Sequence, residues 1–409
     1  MFSGVVYPDE IMDRRLHAVV LPPGPRLYEA LAAALDGSGP AICPLSPDLP
    51  GAALNDLLNV LAPHAVETED GVRPYEPRSA CVRVAGIPAA ADTAVLIATS
   101  GSTGTPKIVE LSADALRHSA TATLERISAA PGDRWLCCLP TSHIAGVQVL
   151  VRSLVAGTEP VILPRFDVPA VTSAEAVHIA MVPTQLRRLL AAGMDLSKIG
   201  AIVLGGAPAS RSLLAEARER GGRVFTTYGM SETAGGCVYN GVPLNGMRVA
   251  IGDDGRIRLA GGSLFTGYRL RPQLTDSVRD GEWYLTQDLG VLEDGRLRVR
   301  GRIDDVINTG GEKVVAGEVA AALSRHPAVA DVVVVGRADP EWGERVTAVV
   351  VPAASGPAGA APTLDDLRAW VRETMPAHAA PRELEVVEAL PLLPSGKPDR
   401  ERLRRPGPR

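Results

Sequence analysis

The sequence predicts an α/β protein with two parts. A large N-terminal domain has mainly parallel sheets covered by helices and then a β-rich subdomain, and a small α+β domain lies at the C-terminus. Three observations carry this. Short apolar strands alternate with helical patterns between residues 93 and 227, and such alternation buries a parallel sheet on both faces. From Gly246 the texture changes to short strands separated by Asp-Gly turns, a hairpin signal. Near residue 303 it changes again, to helix, strand, strand and helix. The boundary is placed there, giving domains over 1–303 and 304–409.

Helical periodicity runs through 27–35 and 54–61. Residues 93–99 (TAVLIAT) read as a strand, a Gly/Ser/Thr run follows, and 108–111 is a second apolar stretch. Ser112 then starts a helix to about Ile127, its hydroxyl accepting an unpaired backbone N–H. Strands are expected at 135–139, 160–163, 178–182, 201–204 and 224–227, with helices at 144–154, 184–192 and 210–219 between them. DDGRIRLAG and EDGRLRVRG read as hairpins. The small domain reads as a helix over 314–326, strands over 329–336 and 345–351, and a helix over 363–375. Residues 352–362 (PAASGPAGAAP) form a surface loop by composition.

The 409 residues are 46% hydrophobic and 22% charged, ordinary for a globular chain, which excludes disordered, collagen-like and coiled-coil classes. No apolar run approaches the roughly 18 residues of a membrane helix. The N-terminus lacks a basic start followed by an apolar block, so no secretory signal is expected and a cytoplasmic location is. A net charge of −5 disfavours nucleic acid as a partner. Cys43, Cys81, Cys137, Cys138 and Cys237 form no CxxC pair and are expected to be buried, reduced thiols without zinc. Only Lys107, Lys198, Lys313 and Lys397 are lysines, among 42 basic residues. In a chain so biased towards arginine, a surviving lysine marks a site that needs a compact charge on a flexible stem.

TSGSTGTPK, residues 99–107, follows a strand. Gly101 and Gly104 let backbone N–H groups approach an anion, Thr99, Ser100, Ser102 and Thr103 donate, and Lys107 neutralises charge. A Walker A loop ends Gly-Lys-Ser/Thr and opens a helix; here Pro106 precedes the lysine and an extended segment follows. The loop resembles the phosphate loop of the adenylate-forming superfamily, the acyl-CoA synthetases, adenylation domains and luciferases. The resemblance runs from about residue 93 to 400 in six blocks.

That resemblance implies ATP and CoA as co-substrates, Mg²⁺ as cofactor, and roles for the remaining blocks. Gly205, Gly206 and Ala207 would lie along the adenine, after a strand end where parallel sheets open a ligand crevice. In YGMSET, Tyr228 would stack on adenine and Gly229 would belong to the same ATP site. Ser231 or Thr233 would reach the α-phosphate, and Glu232 would hold Mg²⁺, one carboxylate sufficing when phosphate supplies the other oxygens. Asp288 and Arg302 would fix the ribose. Asp304 would be the hinge that makes the small domain a mobile lid, and Gly310, Gly311 and Lys313 would line the tunnel for the CoA arm. Lys397, in LPSGKPDR, would bridge the acid and the α-phosphate.

His143, in PTSHIAG, matches the position beside the reacting carboxylate. Arg152 lies nine residues on in an otherwise apolar helix, VQVLVRSLVAG, where a cation is unexpected unless it reaches water or an anion. SHIAGVQVLVRSLVAG, VPTQLRRLL and TYGMSETAGG most closely resemble the o-succinylbenzoate–CoA ligases of menaquinone biosynthesis. The implied substrate is an aromatic dicarboxylate whose non-reacting carboxylate would meet Arg152, with Gly235 and Gly236 leaving room for the ring. A ligase for another small aromatic acid, a stand-alone adenylation domain and a non-catalytic nucleotide binder stay open, and a homodimer is compatible with the sequence.

Overall fold

The computed structural model describes residues 13–77, 85–99, 106–353, 361–393 and 398–405. Four sheets organise them. The first begins with β1 (Leu16–Val20), β2 (Ala41–Leu45), β3 (Ala65–Thr68), β4 (Gly71–Pro74), β5 (Thr93–Thr99) and β6 (Lys107–Ser112). Its centre is parallel, β1 lying between β2 and β3 with β5 beyond β2. Helices α1 (Pro25–Asp36) and α2 (Gly51–Leu61) make the crossovers. Leu27, Leu31, Ala34 and Leu35 of α1 are buried, at the i, i+4, i+7 spacing of a one-sided helix. Helix α3 (Ala113–Ile127) follows β6, and the Ser112 hydroxyl accepts from the Ala115 N–H as expected.

The second sheet contains β7 (Trp135–Cys137), β8 (Val161–Ile162), β9 (His178–Met181), β10 (Ala201–Leu204), β11 (Val224–Met230), β12 (Gly235–Tyr239) and β13 (Val242–Pro243). The strands from β7 to β11 are parallel, and β12 and β13 close the edge in antiparallel sense. Connecting them are α4 (Ile144–Ala156), α5 (Val168–Ser173), α6 (Pro183–Ala191) and α7 (Arg211–Glu219). The alternation therefore builds two sheets. The largest hydrophobic cluster spans both, with Leu116 of α3 and Val147, Leu150 and Val151 of α4 between them.

The third sheet is antiparallel: β14 (Met247–Ile251), β15 (Arg256–Gly261), β17 (Arg279–Asp280), β18 (Trp283–Glu293) and β19 (Arg296–Arg302), while β16 (Gly267–Tyr268) returns to pair with β6. Helix α8 (Pro272–Ser277) follows β16. Asp294 and Gly295 both take positive φ between β18 and β19, the mirror-image turn that an Asp-Gly pair favours.

The fourth sheet contains β20 (Val306–Thr309), β21 (Glu312–Val315), β22 (Val329–Asp339), β23 (Gly343–Pro352) and β24 (Glu383–Val386). Helices α9 (Ala316–Leu323) and α10 (Leu364–Arg372) contribute to its core, which includes Val319, Leu323, Val334, Val350 and Leu367. A five-residue helix, α11 (Arg400–Arg404), packs at the end. Most of the 352–362 loop lies outside the described residues. Cys43, Cys137, Cys138 and Cys237 are free and buried, and Cys81 lies outside the described residues. Among the described residues no helix is long and apolar enough to cross a membrane.

Candidate active site

Several of the sequence-predicted blocks lie at or just past strand ends. Thr99 and Lys107 face each other across β5 and β6, and the Thr99 hydroxyl donates to the Lys107 carbonyl at 3.0 Å. The two ends of the expected phosphate loop are therefore pinned to each other. Its interior residues Ser100, Gly101, Ser102, Thr103 and Gly104 lie outside the described residues, as does Lys397.

Lys107 is held 5.6 Å from the centre of the Tyr268 ring, and the Tyr268 hydroxyl donates to Glu232 Oε1 at 2.8 Å. Tyr268 is a residue that the sequence reading missed. It joins the loop lysine to the expected magnesium carboxylate. Burial first, and then the Glu232 charge, push the phenol of Tyr268 far up in pKa, so it stays a neutral donor. The main chain at Glu232 is held as well, because the Phe265 N–H donates to the Glu232 backbone carbonyl.

Asp288 and Arg302 are direct cross-strand partners on β18 and β19, and their charged groups lie 3.6 Å apart. Arg302 also pairs with Asp304 at 3.1 Å. Tyr228, at the end of β11, donates to Asp288 Oδ2 at 2.8 Å. One hydrogen bond thus links the expected adenine-stacking ring to the expected ribose carboxylate. Just past the neighbouring strand β10, Gly206 takes φ +82 and Ala207 follows it. A Cβ on Gly205 would lie 2.5 Å from the Thr227 hydroxyl.

The YGMSET block and the glycines after it form one tight turn. Gly229 pairs with Gly236 and Met230 with Gly235 across a bulge, and a Cβ on Gly229 would stand 2.0 Å from the Gly235 carbonyl oxygen. Two expectations change here. The Thr233 hydroxyl is buried and bonded to the Met230 N–H and to the Met230 and Gly235 carbonyls. It shapes the turn, and its proton is already engaged within it. Gly235 and Gly236 do not open space for a ring on their Cβ sides: those positions are filled by Gln148 Cγ at 3.2 Å and Tyr239 Cε2 at 3.1 Å. Their bare backbones permit close packing.

His143 is exposed at the N-terminus of α4, just past the end of β7. Gly146 lets the preceding loop fold onto the helix, since a Cβ there would lie 2.3 Å from the Pro140 carbonyl oxygen. Arg152 is only 3% exposed. Its guanidinium lies 4.9 Å over the Trp135 ring and 3.5 Å from the Tyr239 hydroxyl. Among the described residues Nε and Nη1 have no hydrogen-bond partner, and neither do buried Gln148 Oε1 and Trp135 Nε1. Burial lowers the Arg152 pKa. A buried guanidinium without an anion is costly, and side chains on a helix lean towards its N-terminus, here the His143 end.

Gly310 and Gly311 form the tip of the β20–β21 hairpin with positive φ at both, and Lys313 is exposed on β21. The structure gives Gly310 a further local reason, because a Cβ there would meet the Trp342 ring at 2.6 Å. Arg382 stacks on that ring at 3.7 Å. Among the described residues no group of three or more His, Cys, Asp and Glu could hold a metal. A single carboxylate at Glu232 fits a magnesium ion that takes its other ligands from phosphate and water.

Residues 66–268 match the AMP-binding enzyme family, and residues 318–397 match the AMP-binding enzyme C-terminal domain. The chain belongs to the AMP-binding enzyme family. Within it, the chain is 44% identical over 327 residues to the probable 2-succinylbenzoate–CoA ligase of Mycobacterium tuberculosis (strain ATCC 25618 / H37Rv), covering 76% of this chain and 84% of that one. It also superposes on the o-succinylbenzoate CoA synthetase of Bacillus subtilis in complex with its acyl-adenylate intermediate. The TM-score is 0.79 at 28% identity, over 96% of this chain and 88% of that one. For the same enzyme in complex with ATP and magnesium ion the TM-score is 0.78 at 26% identity, over 96% and 89%. These findings bear out the two-part α/β fold and the AMP-forming acid–thiol ligase class expected from the sequence.

Proposed function

We propose that this member of the AMP-binding enzyme family joins 2-succinylbenzoate to CoA at the expense of ATP, in two steps. In the first, a carboxylate oxygen of the acid attacks the α-phosphorus of ATP and the bond to pyrophosphate breaks. In the second, the CoA sulfur attacks the acyl carbon, the acyl–phosphate bond breaks and AMP leaves. Positioning and charge stabilisation account for both, so no covalent enzyme intermediate is needed.

Residues 99–107 would hold the phosphates, with Tyr228, Gly205, Gly206 and Ala207 around adenine, and Asp288 and Arg302 on the ribose. Glu232, fixed by Tyr268, would hold Mg²⁺, which supplies positive charge to the phosphate oxygens when bound. His143 would sit beside the reacting carboxylate, and Lys397 would bridge it to the α-phosphate. For the second step Asp304 would act as the pivot and bring Gly310, Gly311 and Lys313 to the CoA arm. The proposed boundary at residue 303 is supported by the separate core around Val334 and Val350. A cytoplasmic location is part of this reading, supported by the four free, buried thiols.

The observation that carries the choice of a dicarboxylate is the Arg152 guanidinium, buried with two unpartnered nitrogens behind the His143 loop. The non-reacting carboxylate would supply the missing acceptor. Pyrophosphate exchange into ATP, measured with 2-succinylbenzoate and with plain benzoates, tests the reading. Exchange with 2-succinylbenzoate alone supports it. Preference for a monocarboxylate points to another aromatic-acid ligase, and no exchange with any acid points to a nucleotide binder.

A further inference from the structure

Helix α11 spans only Arg400–Arg404, too short to hold itself together in water. It is anchored from outside at three places. Leu403 is buried against Val333, Val335 and Val349. Arg337, buried on β22, donates twice to the Leu403 carbonyl at 2.8 and 3.1 Å and is itself held by Glu383 and Glu385. The third anchor is Asp305, whose carboxylate is 10% exposed and pairs with Arg400 at 3.2 Å and Arg404 at 2.9 Å. Arg404 also donates to the Asp304 carbonyl at 3.2 Å. Residues four apart lie on one helix face, so one carboxylate fixes both the position and the roll of α11.

The chain just before this helix is the lysine block. Lys397 precedes Arg400 by three residues. The block's described flanks are tied together, Leu392 bridging to Pro398 and the Asp399 N–H donating to the Pro391 carbonyl at 2.8 Å. Asp305 is the residue immediately after Asp304. Two arginines about 100 residues away therefore converge on the first carboxylate beyond the expected pivot.

We propose that Asp305 is a positioning residue for the first half-reaction: by holding Arg400 and Arg404 it sets where the helix after Lys397 starts, and so keeps the lysine in step with the hinge. This rests on the roles proposed above for Lys397 and Asp304. A misplacement of about 1 Å in a reacting group can cost about 100-fold in rate, so loss of the anchor falls on rate more than on substrate affinity.

The test uses the full chain as Asp305→Asn and, from the helix side of the same contact, Arg404→Gln. Asp305→Asn should lower the kcat of pyrophosphate exchange by about 10- to 100-fold and leave KM for ATP within about twofold. Thioester formation from supplied acyl-adenylate should stay within about threefold, since the lysine has no part in it, and amide exchange should quicken across residues 399–405. Arg404→Gln should show the same selective pattern more weakly, and the double variant should be no worse than Asp305→Asn alone, the signature of one shared interaction. Equal loss in both half-reactions, or unchanged exchange kinetics with a loosened helix, overturns the proposal. If the unaltered enzyme works on an acid other than 2-succinylbenzoate, the substrate reading fails while the Asp305 comparison is made on that acid with the same criteria.

Discussion

The Tyr228 hydroxyl lies 2.8 Å from Asp288 Oδ2, joining the end of β11 to the middle of β18. Arg302 approaches the same carboxylate from the next strand at 3.6 Å. A ribose hydroxyl at Asp288 would therefore meet a carboxylate whose orientation is already set.

Tyr228→Phe keeps the ring and removes this bond. A hydrogen bond to a charged group contributes about 1.5–3 kcal/mol, part of which the released carboxylate regains from water. KM for ATP should rise by roughly 5- to 30-fold with kcat changed much less, and steady-state kinetics at saturating acid reads both. An unchanged KM would show that Asp288 needs no help from Tyr228.

Tyr268→Phe tests the link between Lys107 and Glu232. Without the 2.8 Å donor, the carboxylate turns more freely, and the Mg²⁺ concentration for half-maximal exchange should rise by roughly 10-fold, the scale for losing a partner of a metal ligand. Circular dichroism should be unchanged. A magnesium titration indistinguishable from the parent would separate Tyr268 from the ion.

Gly229→Ala should be harmful out of proportion to one methyl group. Its Cβ would stand 2.0 Å from a backbone oxygen of the facing strand, so β11 and β12 must part. Overpacking of this kind costs about 1–3 kcal/mol. Urea unfolding should show that loss, and KM should rise for both ATP and the acid because the proposed site places both beside this turn.

His178 predicts an acid sensitivity. Burial first lowers its pKa below the ordinary value of 6.5, with Asp133 opposing; its Nε2 lies 3.0 Å from Asp133. The unfolded chain thus takes up the proton more readily than the folded one. Stability is fully present above pH 6.5 and falls as the pH drops towards the lower folded value. Thermal melting between pH 7.5 and 5.5 should show a decline that is shallower in His178→Gln. An equal slope in both would show that His178 is not the group responsible.

Much of the fold could be read from local chemistry. The Ser112 cap and the Asp-Gly turn at 294–295 needed nothing beyond their neighbours. Strands β1 to β4 were missed because short apolar runs such as LHAVV carry no period of their own. At the site, the blocks that hug backbone were visible as motifs. The partners were not: Tyr268 reaches Glu232 across 36 residues, and Tyr239 reaches Thr123 across 116. Arg152 was visible as a misfit in an apolar helix, but its unpartnered nitrogens are a property of the packed core.

The central claim is that Arg152 receives the non-reacting carboxylate of a dicarboxylate acid. The most direct test compares the unaltered enzyme and Arg152→Met on 2-succinylbenzoate and on an analogue lacking the non-reacting carboxylate. Losing one partner of a buried charged pair costs about 2–5 kcal/mol, so the substitution should raise KM for 2-succinylbenzoate at least about 30-fold and leave KM for ATP in place. The analogue should be a poor substrate for the unaltered enzyme and nearly indifferent to the change. Equal losses on both acids would contradict the claim and make Arg152 a structural residue of the core.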